Sequence, residues 1–261
     1  MKIAALYDIH GNLPALNALM VELEEVQPDM IVVGGDIISG PMPGQTLQRL
    51  SQAGDHIRFI RGNADREVVR MFDGQPIERQ YMANPVEKDL AEIRWVAEQL
   101  THSQRDFLAA LPEQLVVNVE GLGSVVFCHA SVRNDEELFT SITPEERLLV
   151  IFSHVEQEIV VCGHTHTQFE QHVGNLRILN AGSVGMPYAA RPGAYWLLLS
   201  SEGYEFRYTA YDGEAAVQEI LASGYPRAQE FAKENVLTMP TAAEATEHFE
   251  RIAEKYWSQE G

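Results

Sequence analysis

The sequence predicts an α/β fold in which the strands of a parallel or mixed β-sheet alternate with helices. Short apolar runs recur along the chain. In the first part of the chain, these runs are separated by segments with apolar residues at helical spacing. The clearest run covers residues 30–33 and ends at Gly34, Gly35 and Asp36. A run of this length, bounded by turn residues, is typical of a strand buried in a parallel sheet. Asp36 is therefore expected at the carboxyl edge of the sheet, where α/β proteins bind ligands.

The strands follow the apolar runs in chain order. The first run precedes a helix that opens at Leu13, with Pro14 in the first turn, a position that suits proline. In the second half, Gly174 and Asn175 mark a hairpin turn between two alternating segments. The predicted strands cover residues 2–7, 30–34, 56–60, 114–119, 124–128, 159–162, 169–173, 176–179, 194–199 and 204–210.

Two helices have recognisable start signals. Thr143 is followed by Pro144 and two glutamates, the pattern of a capping box with proline at the first helical position, and predicts a helix to about His154. Thr241, with Glu244 three residues later, predicts the last helix of the chain. Other predicted helices cover residues 67–71, 103–111, 215–222 and 227–235.

The chain is interpreted as one core domain with helical additions. The core covers residues 1–210, and the polar, helix-rich residues 72–111 form an insertion or cap beside it. That insertion is close to the lower size limit for an independent core. Residues 211–261 are interpreted as a helical C-terminal extension packed on the same domain.

Composition and charge restrict the function. The chain has 261 residues, of which 45% are hydrophobic and 22% charged, values typical of a globular protein with a proper core. The formal net charge of −19 argues against binding to long nucleic acid or anionic membranes, which need basic surface. A small anionic substrate remains compatible with this charge, because bound cations can invert the local field.

A cytoplasmic location is expected. The apolar start of the chain is interrupted at Asp8, too early for a signal peptide, and no apolar segment is long enough to span a bilayer. The two cysteines, Cys128 and Cys162, lie in apolar runs, which predicts core thiols and neither a disulfide nor thiolate ligands. Nothing in the pattern decides whether the protein forms a homo-oligomer.

Five predicted strands end in side chains that can bind a metal ion. A single buried Asp or His is usually a hydrogen-bonded core residue or a cap. Five such strand ends are hard to explain that way, because the sheet gathers them at one edge. The candidate ligands are Asp8, His10, Asp36, Asn63, His129, His164 and His166.

This set of donors predicts two divalent cations. Mixed nitrogen and oxygen ligands suit manganese first, and iron, zinc or nickel after it, whereas calcium prefers oxygen alone. Seven donors exceed what one tetrahedral or octahedral site uses, and a central Asp36 can bridge two ions.

As an ordered set, the motifs resemble those of the calcineurin-like metallophosphoesterases, over about residues 1–190. The start at Asp8 and the Asn-Ala-Gly-Ser-Val-Gly run at Asn180 are most similar to the small prokaryotic phosphodiesterase-like branch. The resemblance implies a four-layer αββα sandwich of two mixed sheets, with a helical insertion and a helical tail. The motifs that carry it are Asp8-x-His10, Gly34-Gly35-Asp36, Gly62-Asn63-x-Asp65, His129 at a strand end, and Gly163-His164-Thr165-His166.

The resemblance also assigns roles. It implies hydrolysis of a phosphate ester by a hydroxide that bridges two metals, with Asp36, Asn63 and His129 as catalytic residues. Substrate contacts are expected from Asn12 at a helix start, from Asn63 and from either Arg66 or Arg191, although a solvated surface charge is the alternative for either arginine. One metal would be held by Asp8, His10, Asp36 and His166, and the other by Asp36, Asn63, His129 and His164.

One departure from the family pattern concerns the leaving group. Many family members have a histidine, their usual leaving-group acid, where this chain has Ala64. General acid catalysis is commonly worth about 100-fold or more, so esters with poor leaving groups should suffer most. We therefore predict a preference for substrates with better leaving groups, or for a phosphodiester whose leaving group is protonated by water or by the substrate. Of the two activities, a phosphodiesterase is expected in preference to a phosphomonoesterase. The competing interpretation is a catalytically weak or inactive protein-binding scaffold on the same fold.

Overall fold

The computed structural model describes residues 1–260 and consists of two five-stranded β-sheets packed between helices. The strands, numbered in chain order, are β1 Ile3–Leu6, β2 Met30–Val33, β3 Ile57–Phe59, β4 Gln114–Val119, β5 Gly123–Cys128, β6 Ile159–Cys162, β7 Gln168–Val173, β8 Leu176–Ala181, β9 Ala194–Ser200 and β10 Gly203–Thr209. The helices are α1 Leu13–Val26, α2 Pro43–Ser51, α3 Asn63–Phe72, α4 Glu87–Glu98, α5 His102–Ala109, α6 Glu145–Ile151, α7 Gly213–Ala222, α8 Ala228–Ala232 and α9 Ala242–Glu260.

Both sheets are mixed. The first has the order β10-β9-β1-β2-β3, in which β1 is parallel to β2 and antiparallel to β9. The second has the order β4-β5-β6-β8-β7, with a parallel centre and an antiparallel strand at each edge. Since β1, β2 and β3 run in parallel, as do β5, β6 and β8, the carboxyl ends of three neighbouring strands meet in each sheet.

Three apolar layers hold the sandwich together. Side chains from both sheets, including Tyr7, Val32 and Phe127, form the layer between them. The outer face of the first sheet packs against α1, the insertion and the C-terminal helices. The outer face of the second packs against α6, with Trp257 of α9 beside it. The αββα architecture predicted from the sequence is confirmed.

The insertion and the C-terminal tail share one apolar layer with α1. Ile93 of α4 and Leu108 of α5 contribute to it, as do Ile220 of α7 and Phe231 of α8. After α8 the chain makes one π-helical turn, Lys233–Leu237. Among residues 1–260, no helix has the length and apolarity needed to cross a membrane.

The N-terminus of α3 and the burial of the two thiols are both explained by the local sequence. This helix begins at Asn63, four residues before its predicted start, because the Asp65 carboxylate accepts a hydrogen bond from Gly62 N at 3.1 Å and caps the first turn. Cys128 and Cys162 are free thiols buried in the apolar layer beneath α6, as predicted.

One capping prediction is confirmed and one is wrong. Glu244 N donates to Thr241 Oγ1, and the Glu244 carboxylate accepts from Thr241 N, as the capping box requires. In contrast, α6 begins at Glu145 after Pro144 and ends at Ile151, without a side-chain cap. The Thr143 hydroxyl is occupied elsewhere, since it donates to Glu250.

A buried polar cluster attaches α9 to the loop before α6. The Glu250 carboxylate accepts hydrogen bonds from Thr140 Oγ1 at 2.6 Å and from Thr143 Oγ1 at 2.7 Å. It also forms an ion pair with Arg147, whose guanidinium is buried. The charge on Arg147 therefore depends on Glu250 for compensation.

Replacement of Glu250 by Ala is expected to lower the free energy of unfolding by about 3 kcal/mol, because it leaves the Arg147 charge buried without a partner. Urea unfolding of the purified protein measures this loss. Glu254→Ala, at an exposed position of the same helix, is the matched control and should stay within about 0.5 kcal/mol of the wild type. Equal losses in the two variants would contradict a structural role for the cluster.

Candidate metal centre

The loops that follow five strands converge at one edge of the sandwich and bring the seven predicted ligands together. Each of the seven side chains belongs to a residue that is at most 8% exposed, so solvent is largely excluded. From the first sheet, β1 leads to Asp8 and His10, β2 to Asp36 and β3 to Asn63; from the second, β5 leads to His129 and β6 to His164 and His166.

These residues form two clusters. Asp8, His10 and His166 make the first, and Asp36, His129 and His164 make the second, each with ligand atoms within 4.8 Å of one another. Both clusters draw ligands from both sheets. The family resemblance implies these groups with two additions, Asp36 as a shared ligand of both and Asn63 in the second.

Asp36 lies between the two clusters. Its Oδ2 is 3.6 Å from His10 Nε2 in the first, and its Oδ1 is 3.5 Å from His129 Nε2 in the second. Asn63 joins the second cluster, since its Oδ1 is 3.1 Å from His129 Nε2. One carboxylate therefore faces histidines on both sides.

Five of these residues have left-handed backbone conformations, which are uncommon outside glycine. Such conformations cost about 1–3 kcal/mol each and persist where the surrounding structure enforces them, often at functional sites. Their φ angles are 53° at Asp8, 48° at His10, 51° at Asp36, 67° at His164 and 57° at His166. The backbone strain of the molecule is thus concentrated on the predicted ligands.

Glycines allow the strand ends to approach. At Gly35, where φ is 94°, a Cβ would lie 2.5 Å from Gly62 N and 2.7 Å from His129 Nδ1. At Gly163 a Cβ would lie 2.4 Å from Asp8 Oδ2. Any larger residue at either position would collide with these atoms and displace the loops that carry the predicted ligands.

Backbone carbonyls fix the tautomer of each histidine. Nδ1 of His10, His129 and His166 lies 2.8–3.1 Å from the carbonyl oxygens of Ser39, Gly34 and Met186. Since a carbonyl only accepts, Nδ1 carries the hydrogen and Nε2 presents its lone pair to the centre. For His164 the arrangement is reversed, because Nε2 donates to the carbonyl of Glu136 at 3.1 Å and leaves Nδ1 free.

In the first cluster, the side-chain atoms repel one another or lack a hydrogen-bond donor, and a bound cation would remove both problems. His10 Nε2 and His166 Nε2 face each other at 3.2 Å, and with both hydrogens on Nδ1 their lone pairs repel. Asp8 Oδ1 is buried without a hydrogen-bond donor, 3.4 Å from His166 Nε2. A buried carboxylate oxygen in this state is costly unless a cation or proton compensates it. A divalent ion would satisfy all three atoms at once.

The charges of the second cluster also favour a bound cation. Burial lowers the pKa of His164, and the charge on His129 lowers it further, to about 4. Burial would also lower the pKa of His129, but the Asp36 carboxylate outweighs it and raises that pKa to about 10. Without a metal, His129 therefore carries a proton that a bound cation would displace.

Two of the residues predicted to contact substrate already donate hydrogen bonds to protein acceptors. The Asn12 side chain caps α1 by accepting from Ala15 N and donates to the carbonyl of Gly185. Arg66 makes a bidentate ion pair with Asp135 at 2.9 and 3.0 Å and also contacts Glu136. Either side chain would have to exchange a protein partner for a substrate oxygen.

Several residues that build the centre were not among the predicted site residues. Ser183 donates its hydroxyl to the Asp8 carbonyl at 2.8 Å, and Asp65 accepts from Ile37 N at 2.9 Å. Glu136 supplies the carbonyl that orients His164. Ser183 and Asp65 lie within the motifs that carry the family resemblance, whereas a backbone carbonyl leaves no trace in the residue type.

Two cavities open beside the centre. A cavity of about 590 Å³ reaches His10 of the first cluster and is also lined by Met186 and Tyr188. A smaller one of about 270 Å³ reaches His129 of the second cluster and is also lined by Ser131. A ligand at the centre could therefore extend in two directions.

Comparisons with known proteins found relatives of similar sequence and similar fold. Phosphodiesterase YfcE of Escherichia coli K12 is 24% identical over 207 residues, which cover 76% of this chain and 87% of that protein. The crystal structure of hypothetical protein PH1004 from Pyrococcus horikoshii OT3 has a TM-score of 0.73 at 22% identity, covering 89% of this chain and 96% of that one. A metallophosphoesterase from Sphaerobacter thermophilus has a TM-score of 0.67 at 20% identity, covering 89% and 97%.

The two structural neighbours support the fold, and the family match extends over the segment that carries all seven ligands. The model of the calcineurin-like phosphoesterase superfamily domain matches residues 1–203. This range contains the clusters around Asp8 and Asp36. It also contains both sheets, apart from the last strand. The chain belongs to the calcineurin-like phosphoesterase superfamily.

Proposed function

We propose that this protein is a metal-dependent hydrolase with two divalent cations that cleaves phosphate esters, with a preference for diesters. The observation that carries the proposal is the pair of buried ligand clusters that share Asp36. Seven converging donors without a function would be a large liability, because buried unpaired polar atoms destabilise a fold.

The side chains of the centre would hold the two cations, and the backbone behind them fixes the orientation of the ligands. Asp8, His10 and His166 would hold one cation, Asn63, His129 and His164 the other, and Asp36 both. The carbonyls behind the imidazoles keep the lone pairs directed inward, which raises ligand basicity and fixes the ring planes. Asn63, whose Oδ1 faces His129, keeps its NH2 as a donor for a phosphoryl oxygen.

When bound, a pair of divalent cations supplies charge neutralisation for a phosphoryl group and lowers the pKa of water. The rest of the catalytic power must come from the protein's positioning of the ester. Manganese is the metal that we propose first, because the mixed imidazole and carboxylate ligands suit it.

The two cavities support a diester substrate, and Ala64 indicates a preference for good leaving groups. Ala64 offers no proton to a leaving alcohol, and its backbone N donates to Asp36 Oδ1 at 2.8 Å, so this position adjoins the centre. The cavities beside His10 and His129 also provide separate spaces for two substituents on one phosphorus. A phosphomonoester would fill only one of them.

Hydrolysis of bis(4-nitrophenyl) phosphate and 4-nitrophenyl phosphate, combined with metal analysis, tests the proposal. We expect faster hydrolysis of the diester, loss of activity after dialysis against EDTA, and recovery when Mn²⁺ is returned. A protein that binds two metal ions per chain but hydrolyses neither ester would support the scaffold interpretation. Faster hydrolysis of the monoester would overturn the diester preference.

We also propose that the protein works in the cytoplasm. The support is chemical: Cys128 and Cys162 are both free and buried, as expected for thiols of a reducing compartment. Fractionation of cells that express the untagged protein would test this, and recovery from an extracytoplasmic fraction would contradict it.

A further inference from the structure

The larger cavity beside the candidate centre has one wall from the core and one from the C-terminal extension. The core contributes His10, Met186 and Tyr188, and residues 225–240 contribute most of the remainder. Its volume of about 590 Å³ lies within the roughly 300–1,000 Å³ of small-molecule binding sites. Because the family model ends at residue 203, this second wall lies outside the shared domain.

Ion pairs hold the second wall in place. Arg227 Nη1 contacts the Glu92 carboxylate of α4 at 2.6 Å, and Arg227 Nε donates to Glu230 at 2.7 Å. The Tyr225 hydroxyl donates to the other oxygen of Glu92 at 2.7 Å. The helical insertion and the tail are thereby joined at the cavity, which gives it a preformed shape.

The charge of the cavity disfavours an anionic occupant. Three carboxylates line it, from Glu92, Glu230 and Glu234, against two cations, from Arg227 and Lys233. Arg227 is already paired with two of these carboxylates. An additional phosphate group would therefore meet excess negative charge, whereas hydroxyl groups would find acceptors.

The cavity also presents aromatic rings. Tyr188 stacks on the His166 imidazole with ring centroids 5.3 Å apart and planes inclined by 19°. Tyr225 is held edge-to-face between Trp95 at 5.4 Å and Phe231 at 6.1 Å. Rings held in this way are suited to contacts with a nucleobase or an aryl group.

We propose that this cavity binds an uncharged, ring-bearing substituent of the phosphate ester, of the nucleoside type, and that residues 225–240 determine substrate specificity. This proposal rests on the proposed phosphoesterase function, which places the phosphoryl group beside His10. The rings contact the base, the carboxylates accept from sugar hydroxyls, and the organic group lies in the cavity.

Calorimetric titration of the manganese-loaded protein with uridine 5′-monophosphate and with methyl phosphate tests the proposal. Both ligands place a phosphate at the centre, and only the first fills the cavity. We expect the nucleotide to bind about ten-fold or more tightly than methyl phosphate, since one base contact of this kind is worth about that much. Met239→Trp, a half-buried lining position, should fill the cavity and bring the two dissociation constants together.

Leu237→Trp is the matched control, because Leu237 is 49% exposed and lies outside the cavity lining. It should keep the ten-fold difference. Equal dissociation constants in the wild type, or an unchanged difference in Met239→Trp, would overturn the specificity proposal. Hydrolysis of bis(4-nitrophenyl) phosphate is measured in parallel, so that a protein that discriminates the two ligands but hydrolyses nothing contradicts only the catalytic function.

Discussion

Replacement of Asp36 by Asn is expected to lower kcat/KM for bis(4-nitrophenyl) phosphate by about 10³-fold or more. The substitution keeps the shape of the side chain but removes the charge that faces His10 on one side and His129 on the other. The variant should also bind less metal, because each of the two predicted ions loses a carboxylate ligand.

The matched control for this variant is Asp55→Asn at an exposed position. It makes the same change in net charge and should leave both activity and metal content unchanged. Thermal unfolding of both variants shows whether they are folded. An Asp36→Asn protein that retained full activity would contradict the central role of this carboxylate.

Introduction of histidine at position 64 is expected to increase the hydrolysis of esters with poor leaving groups by about 100-fold. Ala64 N lies 2.8 Å from Asp36 Oδ1, so an imidazole on this residue lies next to the centre. The gain should be small for nitrophenyl esters, whose leaving groups need little protonation, and large for alkyl esters. A plot of log kcat/KM against leaving-group pKa should therefore become flatter in the variant.

Ala64→Gln is the control for size and polarity, because an amide cannot donate a proton in this way near neutral pH. We expect no change of slope in this variant. Equal gains in Ala64→His and Ala64→Gln would show that polarity, and not proton transfer, limits the native chain.

The sequence was most informative where chemistry is local. The ends of β1, β2, β5 and β6 could be predicted because each apolar run stops at a metal-binding side chain. The convergence of the ligands follows from sheet topology, since strands that run in parallel bring their carboxyl ends together. Their division into two sets came from the family resemblance.

Long-range contacts account for what the sequence did not reveal. Thr143 had the pattern of a cap, but its hydroxyl is bound by Glu250, which lies 107 residues further along the chain. Arg66 was predicted to contact substrate, and its position beside Asp135 and Glu136 depends on the folded second sheet. Likewise, the spacing around Phe231 predicts a helix but does not indicate which cavity that helix borders.

The distribution of ligands between the sheets links metal loading to folding. Asp8 and His10 come from the first sheet and His166 from the second, while Asp36 comes from the first and His129 and His164 from the second. Either sheet alone offers at most two of the three ligands in each cluster. The cations proposed here would therefore find their complete set of ligands only after the two halves have docked, and metal content would then measure the correctly assembled fraction of a preparation.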